Sequence, residues 1–436
     1  MMSTRRTTII SIAIIAVVFF VIGFVSWLNA ILIPYFKIAC ELNNFQSYLV
    51  AFAFYIAYLV MSVPAGLLLK KIGFKRGLMC GFFFLATGAL LFIPAALTRT
   101  YGIFLTGLFT MGTGMSILQT TANPYITIIG PIESAARRIS IMGICNKFAG
   151  IVSPLIFAAV VFKVTDSEMF SSLSSMTEEV KNATLDELIR RVIVPYACLS
   201  VFLTAVGIFI RYSVLPEINT EEESKELVES HAGRTSVLQF PYLVLGAFAI
   251  FTHCGTQVIS IDTIIGYADS MGLNLLEAKA FPSYVLTATI IGYVAGIICM
   301  PKLISQTNAL RICTIMGLIL SFFIIFMSGT VSFLGHTVDI SIWFIVSLGL
   351  FNSLVYAGIW PLAIHDLGRF TKTGSSILIM GLVGNALLPV LYGSLADVVG
   401  VRQAYWVLIP CYVYLVFYAV YGHKINHWTK TKKHYK

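Results

Sequence analysis

Apolar stretches separated by short polar segments account for almost the whole chain. Runs long enough to cross a hydrocarbon core of about 30 Å lie near 9–33, 47–69, 77–98, 101–129, 139–162 and 193–215. Six more lie near 238–268, 278–300, 308–333, 340–366, 374–396 and 403–422. The pattern predicts an all-α polytopic membrane protein with twelve transmembrane helices. The first run follows a basic start, "MMSTRRTTII", but it is too long for a removable leader and no small-residue cleavage site follows it. It reads as a first span whose end, Ile31 to Lys37, carries Pro34 near the outer interface and Lys37 at the headgroups.

The polar segments order these spans. Arg5 and Arg6, the loop "KKIGFKR" at 70–76, Arg137 and Arg138, Lys302 with Arg311, Arg369 with Lys372, and the tail "HKINHWTKTKKHYK" all fall on one side. The opposite loops are nearly neutral, or acidic as in 165–191, where a short amphipathic helix is expected around 178–191 with an N-x-T sequon at Asn182. The basic side is cytoplasmic by the positive-inside rule, so both termini are expected there, in a plasma (bacterial inner) membrane.

One connection differs from the rest. "PEINTEEESKELVESHAGRTS" is charge-dense and predicts a cytoplasmic linker at 216–237, between an N-terminal half at 1–215 and a C-terminal half at 238–436. The halves echo each other. "NPYITIIGPIESAARRISIMGICNKFAGIVSP" is answered by "IWPLAIHDLGRFTKTGSSILIMGLVGNALLP". Pro124 to Met142 is 18 residues and Pro361 to Met380 is 19, and each Met-Gly pair precedes an Asn, Asn146 or Asn385, and then a Pro. Two parallel six-helix repeats form a transporter architecture.

Polar residues inside spans are costly and face a cavity or another helix. At helical spacing, span 1 carries Gly23, Ser26 and Asn29, and span 4 carries Gly112, Ser116, Gln119 and Asn123. Span 7 carries His253, Gln257 and Ser260 with Asp262 beyond, and span 10 carries Asn352, Tyr356 and Trp360. Taken singly, each of these can be interhelical glue. Their recurrence in the first helix of every three-helix unit favours a shared cavity. Amides, an imidazole and aromatic faces supply paired donors and acceptors with little charge, which suits a neutral polyhydroxylated ligand. Trp27, Tyr55, Tyr356 and Trp360 are candidate platforms for its C–H face. Three ionisable side chains lie within spans: Lys147, placed to snorkel or to face the cavity beside Asn146, then His253, and Asp262 nearer the outer mouth.

Composition agrees with this picture. Hydrophobic residues make up 58% of the 436 and charged residues 11%, where a soluble chain carries about a quarter charged; mean hydropathy is +0.88. The net charge of +9 is dispersed in loop clusters rather than gathered in a patch, so no nucleic-acid partner is expected. Eight scattered Cys without CxxC spacing read as packing residues rather than metal or redox sites. No Walker loop, HExxH or Ser/His/Asp set is present, so neither an enzyme, a catalytic residue, a bound metal nor a cofactor is expected.

"LNAILIPYFK", "PAGLLLKKIGFKRG", "LQTTANPYITIIGP" and "GSSILIMGLVGNALLP" together resemble the fucose–galactose–hexose symporter family of the major facilitator superfamily. The resemblance runs from about residue 20 to residue 400, and "ANPYxTxxGP" is its most specific piece. It implies an alternating-access transporter that binds a sugar between its two halves and couples it to H+ or Na+. By match, Asn29, Gln119, Asn123 and Asn146 are implied sugar contacts, joined as candidates by His253, Gln257, Asn352, Tyr356, Trp360 and Asn385. The sequence departs from the fucose branch at three places. Its first-span Asp is Ala30, its Glu before "TAANPY" is Gln119, and Lys147 replaces a small polar residue. Coupling then falls to Lys147 or Asp262, and the pairing of "WLN" with "CNK" resembles the glucose/galactose or N-acetylglucosamine branch. The expectation is a monomeric importer of a neutral hexose in contact with membrane lipid. An N-acetylglucosamine transporter or an uncoupled facilitator stands as the alternative, and a multidrug exporter or a membrane sensor on the same fold is more distant.

Overall fold

The computed structural model describes residues 2–42, 44–161, 176–216, 235–273, 278, 280–300 and 302–428. Span 1 is the helix Met2–Ala39. Spans 2 and 3 share the helix Asn44–Thr98, broken at Gly73, whose φ of 81° and ψ of 177° suit only glycine. Span 4 is Tyr101–Ile128, span 5 Ala135–Val161 and span 6 Ile193–Tyr212. Span 7 is Pro241–Asp262, span 8 Phe281–Cys299, span 9 Gln306–Phe326 and span 10 Ile340–Ile364. Span 11 runs Thr371–Met380 and Gly384–Val399 through the 3-10 turn Gly381–Val383; span 12 is Leu408–Val420, entered through Gln403–Val407. Ten helices of the described residues are long and apolar enough to span a membrane. One of them carries both spans 2 and 3, and Ala135–Val161 stands where span 5 is expected, which makes the twelve.

Three expectations are refined. Span 1 continues past Pro34 to Ala39, anchored by the buried Tyr35 and Phe36. The Tyr35 hydroxyl donates to the Leu188 carbonyl, and Phe36 packs on Phe104 at 4.4 Å. Span 7 stops at Asp262, after which Ile264–Ser270 forms a separate short helix. Span 9 ends at Phe326 rather than running to 333, because 330–339 is a hairpin of β1 (Thr330–Phe333) and β2 (His336–Asp339). Its antiparallel register is Thr330↔Asp339 and Phe333↔His336, turned by Leu334 and Gly335 at φ 50° and 81°, the positive-φ pair of a tight primed turn. The amphipathic helix expected around 178–191 is Glu178–Arg190, with Leu185, Leu188 and Ile189 buried. The linker at 216–237 lies, apart from its ends, outside the described residues.

The chain folds as two compact units. The first comprises Met1–Ala122 and Cys145–Glu217, the second Asn123–Ile144 and Ile218–Lys436. Each uses the same packing devices. In the first, a Cβ on Gly112 of span 4 would lie 2.3 Å from the Phe54 carbonyl oxygen of span 2. In the second, a Cβ on Gly349 of span 10 would lie 2.3 Å from the Val285 carbonyl oxygen of span 8. Only a residue without a side chain lets backbones approach so closely, and such contacts replace the hydrophobic drive that lipid does not supply. Lys75 Nζ, at the start of span 3, donates to the Ser213 carbonyl that ends span 6 at 2.5 Å. Arg311 Nε, near the start of span 9, donates to Ala419 near the end of span 12 at 3.2 Å. These cations satisfy helix C-terminal carbonyls and complement the helix dipole. The repeat suggested by the sequence therefore recurs at the level of individual contacts.

Candidate functional site

The glycine contacts fix a common register. Gly112 and Gly349 stand seven residues before Gln119 and Tyr356, eleven before Asn123 and Trp360, and twelve before Pro124 and Pro361. Gln119 and Tyr356 are therefore equivalent positions of the two repeats, as are Asn123 and Trp360. The stripes also divide by role. Gly112 packs against span 2, and Gly23 packs against the Asn146 backbone of span 5, where a Cβ would lie 2.3 Å from the carbonyl oxygen. Those two members are helix contacts, not ligand positions.

In the first unit, Gln119 is half-buried and its Nε2 donates to the Tyr58 hydroxyl at 3.1 Å. The fully buried Ser116 and Thr120 on the same span have hydroxyls without a hydrogen-bond partner among the described residues. Asn146 Nδ2 reaches the Phe19 carbonyl of span 1 at 3.4 Å, which ties spans 1 and 5 together. Lys147 does not snorkel. It is buried, with Nζ 5.0 Å from the centre of the Trp27 ring, a cation–π arrangement that strengthens as water is excluded. Gly150, one turn along span 5, leaves room for that indole, since a Cβ there would lie 2.6 Å from Trp27 Cδ1. Tyr55 stacks on Tyr58 at 6.2 Å. Asn29 and Ala30 lie within the span 1 helix, but their side chains are outside the described residues.

In the second unit, three of the candidates on span 10 line one helical face. Asn352 and Trp360 are almost fully buried and Tyr356 lies between them, its ring stacked on Trp360 at 5.7 Å and 27°. The His253 ring of span 7 faces Tyr356 at 6.4 Å. Asn352 Oδ1 accepts from the Tyr412 hydroxyl of span 12 at 2.7 Å. Asn352 Nδ2 and Trp360 Nε1 have no hydrogen-bond partner among the described residues. Leaving a buried donor unmatched costs about 1–3 kcal/mol, so two on one face mark a place where acceptor oxygens belong. Gln257 and Asn385 are half-buried, Asn385 at the start of the second segment of span 11, and Asn123 is fully buried. Asp262 is exposed at the last residue of its helix.

Sequence reasoning missed Tyr58 and Tyr412. Their partners Gln119 and Asn352 are 61 and 60 residues away in the chain, and nothing local distinguishes either tyrosine from the many others in the spans.

Comparison with known proteins agrees with the geometry. A Major Facilitator Superfamily model matches residues 15–381. A glucose/galactose transporter of Brucella abortus is 35% identical, over 97% of this chain and 96% of its own. The L-fucose-proton symporter of Escherichia coli K12 is 29% identical, over 91% of this chain and 89% of its own. A crystal structure of the E. coli fucose:proton symporter superposes with a TM-score of 0.80 at 25% identity, covering 95% of this chain and 98% of that one.

Proposed function

This chain belongs to the Major Facilitator Superfamily and, within it, to the fucose–galactose–hexose symporter family, and from that membership we propose that it is a secondary sugar transporter importing a neutral hexose by alternating access. The observation that carries the reading is the pair of buried donors, Asn352 Nδ2 and Trp360 Nε1, on one face of span 10 with stacked aromatic rings between and beside them. A hexose matches that face. Its ring and hydroxyl oxygens accept the two hydrogen bonds, and its C–H surface lies on the Tyr356–Trp360 stack. Asn352, Tyr356 and Trp360 bring no formal charge to meet a carboxylate, and an alkyl chain would leave both donors unmatched. The glucose/galactose transporter of Brucella supports a hexose of that type over the fucose class. N-acetylglucosamine remains the second reading, since its ring presents the same acceptors.

Coupling to H+ or Na+ is part of the proposal, with symport supported by the fucose-proton relative. Between the two candidates, burial favours Lys147 over Asp262. Lys147 is buried over the Trp27 ring, whereas Asp262 is exposed at the end of its helix. Import across a bacterial inner membrane with both termini cytoplasmic completes the reading. Counterflow in proteoliposomes with labelled glucose, galactose and N-acetylglucosamine tests it. Exchange of at least one of these is expected, and no exchange of any hexose or hexosamine would overturn it.

A further inference from the structure

We propose that Tyr412 is a positioning residue for the sugar-facing amide of Asn352, and that it thereby sets which substrate oxygen the second unit accepts. The inference rests on the sugar reading of the span 10 face. An asparagine amide has an acceptor edge and a donor edge of nearly equal shape. Left alone, it can turn over and offer either edge to a ligand. Here the Tyr412 hydroxyl donates to Asn352 Oδ1 at 2.7 Å, with both residues almost fully buried. The Thr256 hydroxyl of span 7 also reaches the phenol, while it gives its own proton to the His253 carbonyl at 2.8 Å. Turning the amide over would give up the 2.7 Å bond to Oδ1 and set an N–H2 group against the phenol, so Tyr412 favours the observed orientation.

The ring itself is fixed by packing. A Cβ on Gly317 of span 9 would lie 2.3 Å from Tyr412 Cε1, so the phenol occupies the space that glycine leaves. Tyr412 is thus held by span 9, points its proton at Asn352, and leaves Nδ2 as the edge without a partner among the described residues. At Asn352 the second unit therefore recognises a sugar oxygen that accepts. At the equivalent position of the first repeat the register puts Met115, which has no amide to orient.

A double-mutant cycle on the full-length purified protein tests this. Binding of glucose, galactose and N-acetylglucosamine is measured by calorimetry for the wild type, Tyr412→Phe, Asn352→Ala and the double variant. Thermal stability without sugar is recorded for each, and Asn352→Ser replaces Asn352→Ala should that variant not fold. Tyr412→Phe keeps the ring and is expected to weaken sugar binding about five- to tenfold, the scale of one hydrogen bond, and to have no further effect once Asn352 is gone. Among monodeoxy sugars, the fluoro analogue keeps an acceptor where the plain deoxy analogue does not. One such pair is expected to be separated by the wild type and not by Tyr412→Phe. An equal loss on both Asn352 backgrounds, or no loss on either, overturns the positioning role while leaving the sugar reading intact. Sugar binding that survives Asn352→Ala unchanged also overturns it. A wild type that binds none of the three sugars sinks the sugar reading, and the role of Tyr412 with it.

Discussion

Trp360 and Lys147 are the residues whose surroundings are hardest to explain by packing alone. Trp360 is fully buried, yet its Nε1 has no hydrogen-bond partner among the described residues. Trp360→Phe removes that donor and keeps an aromatic face, so sugar affinity is expected to fall about fivefold. Stability in the absence of sugar should fall through the cavity the smaller ring leaves, offset in part because the donor removed was unsatisfied; calorimetry and thermal unfolding separate the two effects. Lys147 is held over Trp27 rather than reaching for an interface. Lys147→Gln keeps a polar side chain, one atom shorter, and loses its charge. Accumulation against a gradient is expected to fail while counterflow persists, and Asp262→Asn should leave both intact. If neither variant alters accumulation in proteoliposomes, both coupling assignments are wrong.

At the level of helices, close approach rather than hydrophobicity decides which spans touch. Gly349 lies where a Cβ would meet the Val285 carbonyl oxygen at 2.3 Å, whereas nothing stands within 4 Å of a Cβ on Gly393. Gly349→Ala should force spans 8 and 10 apart and lower stability by about 1–3 kcal/mol. Gly393→Ala, on span 11, should be neutral or mildly stabilising, because it only removes backbone freedom from the unfolded chain. Thermal unfolding in detergent distinguishes them, and equal effects would refute the packing argument. The hairpin β1–β2 teaches the converse lesson. Its alternation "TVSF-LG-HTVD" and the Leu334–Gly335 turn were visible in the sequence, but the apolar run of span 9 leads into it without a break. Hydropathy averaged over a window cannot tell the last turns of a helix from a strand of similar polarity.

Across the first unit, the end of span 3, the segment after span 1 and the helix Glu178–Arg190 are joined by one ion cluster. Arg99 meets Glu41 at 3.1 Å and Asp186 at 3.5 Å, and Lys181 also pairs with Glu41. Arg99 further donates to Asn182 Oδ1 at 3.0 Å and to the Ala39 carbonyl at 2.8 Å. The hydrogen bond from Lys181 holds the Glu41 carboxyl below its ordinary value of 4.5; desolvation opposes it, and the charges of Lys181 and Arg99 add to the lowering. A depressed carboxyl pKa contributes stability that is full above the unfolded value and lost as pH falls through the folded one. The cluster should therefore hold at neutral pH and loosen in acid, below the ordinary carboxyl value of 4.5. Hydrogen exchange over Glu178–Arg190, corrected for intrinsic rates, should rise in that range. Glu41→Gln should raise exchange already at pH 7 and remove the acid step; an acid step that persists in the variant would place its origin elsewhere.

The sequence by itself determined the twelve spans, their grouping into two repeats and the polar faces of spans 4, 7 and 10. The spans and their polar faces follow from patterns within a single helix, where exposure is set by neighbours three or four positions away, and the grouping follows from the echo of 124–142 in 361–380. It also placed Gln119, Asn123, Asn352, Tyr356 and Trp360 on their stripes. It did not decide what each stripe residue meets. Gly23 and Gly112 sit on the same faces as the amides yet serve to bring backbones together, Lys147 finds Trp27 on span 1, and Asn352 finds Tyr412 on span 12. Those partners are joined only by how helices distant in the chain pack. A helix's own sequence says which face is polar; the shape of the neighbour decides whether that face is glue, a charge held over a ring, or a donor left for a ligand.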